Sequence, residues 1–105
     1  MSRSLYYILD AHHQPVPCDG RTWALWFETA ERHVARDVDE GGAVRVVVST
    51  VFLGLDHNYD RQGPPILWET FIFGGPLAGE GGRYASLEAA LEGHQAWCVR
   101  VRAAG

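Results

Sequence analysis

The sequence predicts an α+β domain: a small antiparallel sheet of four to five strands with two helices packed on one face. Three observations carry that expectation. Two segments, 22–34 and 86–101, repeat apolar residues at helical spacing. Between them lie runs rich in β-branched and aromatic residues, 44–55 and 66–73, which favour strands. The links through the middle have hairpin length, and strands joined by hairpins pair antiparallel. With 105 residues, 47% of them apolar, the chain fits one domain over 1–105 with one core.

Residues 5–9 (LYYIL) read as a first strand, followed by a turn over 10–14. The segment Pro15-Val16-Pro17 lacks two ladder donors, so it belongs at an edge or in a loop. Asp19 or Thr22 can cap a helix whose apolar positions are Trp23, Trp26, Phe27, Ala30 and Val34, ending near Arg32 or His33. A short strand is expected over 33–38, a turn over 39–42 and the long strand over 44–55. The segment 56–65 is a loop with two prolines, and 66–73 is the next strand. Five glycines among residues 74–82 predict a flexible loop, with a short edge strand after it at 83–85. Ser86 caps the last helix, whose stripe is Leu87, Ala90, Leu91, His94, Cys98 and Val101. Gly93 inside that helix costs about 1 kcal/mol relative to alanine, which points to a neighbour that approaches closely there.

Nine basic residues against thirteen acidic ones give a net charge of −4. That balance disfavours nucleic acid and anionic membranes as partners, since both require a positive surface field. The longest apolar run falls well short of the roughly twenty residues of a membrane span, and residues 5–9 are too short for a signal-peptide core. Cys18 and Cys98 match no metal or redox spacing. A cytoplasmic protein without a disulfide is expected.

Both central strands alternate weakly. Val46 and Val48 oppose Val47 and Val51, and Ile66, Trp68 and Ile72 oppose Leu67, Phe71 and Phe73. A sheet with one wet face would alternate apolar and polar residues. Two helices cover one face, so the other needs a loop, a second subunit or a partner, and a homodimer is the favoured expectation.

The common catalytic motifs are absent: no P-loop, GxGxxG, GxSxG, HExxH or EF-hand loop. The candidates for chemistry are Asp56, His57, Glu69 and His94. Asp56 and His57 stand where the long strand runs into its loop, a place where a scaffold often presents functional side chains. Glu69 lies between apolar neighbours on its strand, and a buried carboxylate needs a partner. His94 sits on the apolar stripe of the last helix. If the register brings His57, Glu69 and His94 together, they form a divalent-metal site or an acid–base pair. Taken singly, each has a plainer reading: a core histidine with one hydrogen bond, a Glu paired with Arg45 or Arg83, an Asp capping a turn. Trp68 is a core residue or an interface centre, and Tyr59 and Arg61 in the long loop are contact candidates.

The segments STVFLGLDHN (49–58), GPPILWETFIFGG (63–75) and RYASLEAALEGH (83–94) resemble a family of small uncharacterised proteins of bacteriophages, prophages and actinobacterial genomes. The resemblance spans nearly the whole chain and is carried by Asp56-His57, Glu69-Thr70, Arg83-Tyr84 and Gly93-His94. It departs at the first turn, where His12-His13-Gln14 stands in place of an Asn-Gly-like pair. It implies a phage accessory product in a bacterial host and adds Arg83 and Tyr84 to the binding candidates, without implying an activity. The expected function is therefore a non-enzymatic binding module that engages a host or phage protein, such as one of a bacterial defence system. No cofactor is expected on that reading. The competing expectation is a small metal-dependent hydrolase or nucleotide-handling enzyme built on His57, Glu69 and His94.

Overall fold

The computed structural model describes residues 4–60 and 62–104. Eight elements follow in order: β1 (Tyr6–Leu9), β2 (Pro15–Cys18), α1 (Gly20–Phe27), β3 (His33–Asp39), β4 (Val46–Phe52), β5 (Trp68–Phe73), β6 (Gly81–Tyr84) and α2 (Leu87–Ala104). The α+β class and the two helices agree with the sequence. The strands divide into two antiparallel sheets, a β1–β2 ribbon and a β3-β4-β5-β6 meander.

The β1–β2 ribbon turns at Asp10, whose Oδ1 accepts from the backbone N–H groups of His12 and Gln14. Asp19 caps α1, its carboxylate accepting from the Thr22 N–H at 2.8 Å. The helix is shorter than its periodicity predicts and ends at Phe27 rather than near Arg32. Tertiary pairing overrides the pattern here: Arg32 already gives its carbonyl to Phe52 N–H, and His33 onward is committed to β4. Trp26 packs edge-on against Phe52, tying α1 and its ribbon to the end of the sheet.

In the meander, directly paired residues share a face. One face carries Asp37, Val48 and Ile72 in one row, Ala35, Thr50 and Thr70 in the next, and Phe52, Trp68 and Tyr84 at the end. α2 lies on this face through Ala90, His94, Cys98 and Val101, all buried. The core has two halves: Tyr7, Phe52, Leu67, Trp68 and Ala90 toward the ribbon, and Val46, Val48, Ile72, Cys98 and Val101 toward the other end. β4 begins at Val46 and ends at Phe52, earlier than expected at its C-terminal end because Gly54, at a φ of 73°, turns the chain away. β6 starts two residues early, inside the segment expected to be a flexible loop. Gly81 and Gly82 are strand residues. The preceding turn is held by Gly79 N–H on Ile72 O and Glu80 N–H on Leu77 O.

The opposite face carries Val38, Val47 and Phe73 in one row, Arg36, Ser49 and Phe71 in the next, and Val51, Glu69 and Arg83 in a third. No element of the described chain lies across it, and Phe73 is 53% exposed. Among the described residues, no helix is long and apolar enough to cross a membrane.

Candidate functional site

The expected triad of His57, Glu69 and His94 does not assemble. Strand alternation places Glu69 on the face away from α2, because its neighbour Thr70 faces His94. There Glu69 forms an ion pair with Arg83, Nε to Oε2 at 2.9 Å, which is the plainer of its two readings. His57 belongs to the loop after β4: its Nδ1 lies 2.8 Å from Leu55 O, and its ring rests against Tyr59. Asp56 is buried and structural, accepting from Asn58 N–H and Ile66 N–H and so closing the base of the 56–66 loop. Asn58 holds the same loop by donating to the carbonyls of Gln62 and Pro64.

The other contact candidates divide by burial. Tyr59 is 74% exposed on that loop, whereas Arg61 lies outside the described residues. Trp68 is buried against Phe52, ring centroids 5.4 Å apart, and so cannot be a contact residue at a surface. Tyr84 is half-buried and donates its hydroxyl to Thr70 Oγ1 at 3.0 Å.

His94 does occupy a polar centre, with different neighbours from those expected. Its Nδ1 lies 2.7 Å from Thr50 Oγ1, and its Nε2 lies 2.6 Å from Asp37 Oδ2. Thr50 Oγ1 is 2.5 Å from Thr70 Oγ1. A carboxylate only accepts, so in the neutral imidazole Nε2 carries the proton and Nδ1 accepts from Thr50. The donors then run in one direction: Tyr84 to Thr70, Thr70 to Thr50, Thr50 to His94, His94 to Asp37. Every member of this line through the core is satisfied, as a buried polar network requires.

Asp37 is the solvent end of the line, with its side chain 63% exposed, while His94 is 1% exposed. The hydrogen bond from His94 holds the Asp37 carboxyl below its ordinary value, against the partial desolvation that raises it. Cys98, one helical turn beyond His94, places Sγ 3.7 Å from the same carboxylate oxygen. Burial pushes its thiol upward, and the Asp37 charge adds to that. Asp37, His94 and Cys98 bring their donor atoms within 4.8 Å of one another, a grouping the His57, Glu69 and His94 set does not make.

Asp37 and Cys98 form no sequence motif with His94, because one side chain sits on a strand and the other two on a helix 57 and 61 residues later. The sequence does hold a trace of the network: Thr50 and Thr70 interrupt the otherwise apolar inward positions of β4 and β5 as a direct pair, and His94 and Cys98 share one helix face. No family model, curated protein or solved structure matches the chain.

Proposed function

We propose that this protein is a non-enzymatic binding module whose contact surface is the bare face of the four-stranded sheet. The observation that carries the reading is that face itself. Val38, Phe71 and Phe73 are exposed on it, and Val47 and Val51 are half-buried beside them, all on a layer that the chain's own helices leave uncovered. An apolar sheet face without a covering layer marks an association site or an aggregation hazard. The two edges of the sheet are poor alternatives for docking. β3 is broken by a bulge between His33 and Ala35 and carries Arg36, Asp37 and Asp39, and β6 has only four residues.

The first occupant on this reading is a second copy of the chain. A second copy can bring the same Val38, Val47 and Phe73 row against this one and so cover both at once. Charge at the margin supports an orderly contact rather than a sticky one, because Glu69 and Arg83 neutralise each other at the edge of the patch. The resemblance to small phage and prophage proteins supports a further partner from a bacterial host, engaged by the dimer. The test is the mass of the protein in solution: a dimer that Phe73→Glu dissolves is expected, and a monomeric wild type overturns the assignment of the first occupant.

A further inference from the structure

We propose that Asp37, His94 and Cys98 form a binding site for one divalent ion of the zinc class, independent of the bare sheet face. Three kinds of observation support it. The first is donor chemistry: imidazole, thiolate and carboxylate are together the ligand set that Zn²⁺ accepts, with three protein ligands leaving a fourth position open. The second is geometry. His94 and Cys98 occupy positions i and i+4 of α2 and converge on one exposed carboxylate from β3. Tetrahedral coordination separates such donors by about 3.3 to 3.8 Å. The Sγ to Oδ2 distance of 3.7 Å already fits, and the His94 to Asp37 distance of 2.6 Å opens by about 0.7 Å when the solvent-facing Asp37 side chain turns.

The third observation is the support behind the ligands. A metal-bound histidine needs its other ring nitrogen held, and Thr50 is in place 2.7 Å from Nδ1, itself held by Thr70. An ion also needs a way in. A groove of about 200 Å³ between β3 and α2 runs to the site, with Asp37, Asp39, Glu40 and Cys98 in its wall. Arg102 is the cation on the same wall. Glu40 is paired with Arg45, so Asp37 and Asp39 stand against one guanidinium and leave the groove a net negative charge, favourable to a cation.

Binding is balanced as follows. The Cys98 thiol gives its proton to solvent and binds as thiolate. The imidazole changes tautomer, losing the Nε2 proton and gaining one on Nδ1, which donates to Thr50 Oγ1; the hydroxyls turn with it, Thr50 donating to Thr70 and Thr70 to the Tyr84 oxygen. Asp37 is already ionised, so one proton is released per ion. The fourth position takes a water molecule or a donor atom from a bound partner.

Chelator-treated full-length protein titrated with Co²⁺ alone tests the site. A thiolate-to-cobalt charge-transfer band that saturates at one ion per chain is expected, bleached by added Zn²⁺. Cys98→Ala should abolish the band while circular dichroism stays that of the wild type. Asp37→Asn should weaken binding at least tenfold, and Thr50→Val should weaken it about tenfold while leaving all three ligands in place. Zn²⁺ should also raise the melting temperature of the wild type by several degrees and leave that of Cys98→Ala unchanged. No band together with an unchanged melting temperature overturns the proposal. A band that survives in Cys98→Ala also overturns it, since the ion would then be bound elsewhere, as at Cys18 or the His12-His13 turn.

Discussion

A Cβ atom placed on Gly93 would stand 2.3 Å from the ring of Tyr84, inside any tolerable contact. The glycine in the middle of α2 lets that ring approach the helix closely, where its hydroxyl reaches Thr70 and closes the buried line to His94 and Asp37. On helix propensity alone, Gly93→Ala would stabilise the protein by about 1 kcal/mol. The close approach reverses the sign, and a loss of about 1–3 kcal/mol is expected from the forced displacement. In a Tyr84→Ala background the clash is gone, and Gly93→Ala should become neutral or stabilising. A denaturant double-mutant cycle reads both values, and additive effects would show that the two residues do not oppose each other.

Thr50 is the hinge of the polar line. Thr50→Val keeps the shape but leaves His94 Nδ1 and Thr70 without their shared partner, and about 1–3 kcal/mol should be lost. Thr50→Ser retains the hydroxyl and should lose much less, apart from its missing methyl. Urea midpoints at neutral pH distinguish the two, and equal losses would mean that packing, not hydrogen bonding, dominates there.

The residues that failed to assemble should behave as surface. His57→Ala and Glu69→Gln are each expected to change stability by about 0.5 kcal/mol or less, because neither side chain is held in the core. The Glu69–Arg83 pair is partly exposed and screened, and such pairs contribute about 0–1 kcal/mol. A loss well above that in either variant, measured by thermal melts, would show a network that the geometry lacks.

Acid should loosen the N-terminal ribbon and α1 first. Asp10 and Asp19 are both held below their ordinary value of 3.8, Asp10 by the Gln14 and His12 backbone N–H groups and Asp19 by that of Thr22. Their folded values are depressed, so their contribution is fully present above that ordinary value. It is lost as pH falls through the folded values. The melting temperature should therefore decline below about pH 4, and the decline should be shallower in an Asp10→Asn, Asp19→Asn double variant, which keeps an acceptor without a titrating charge. Superimposable profiles would show that these carboxylates do not set the acid limit.

Much of the fold was legible in the residues, and the failures have identifiable causes. Asp19 and Ser86 announce their helices, and each accepts the backbone N–H expected of a cap. Val46, Val48 and Phe52 announce a buried strand face. α1 ends before its pattern does: Ala30 and Val34 continue the helical spacing, but pairing with β4 overrides it, and propensity yields to such pairing. Gly81 and Gly82 read as loop, yet glycine is required at 81: a Cβ there would meet Thr70 O at 1.9 Å. At the polar centre, His94 was visible on its stripe, but its partners depended on register. A shift of one residue would have turned Thr50 and Thr70 away and brought Ser49 and Phe71 to the helix. Asp37 looked like one more charge on a short edge strand, and only the pairing with Val48 places it over α2.

The bare face of the sheet is the centre of the functional reading, and it is tested most directly by light scattering of the full-length protein at micromolar concentration. The wild type should have a mass near twice 11.7 kDa, and Phe73→Glu should have the single-chain mass with an unchanged circular dichroism spectrum. A wild type of single-chain mass, or a dimer that Phe73→Glu leaves intact, would contradict the account.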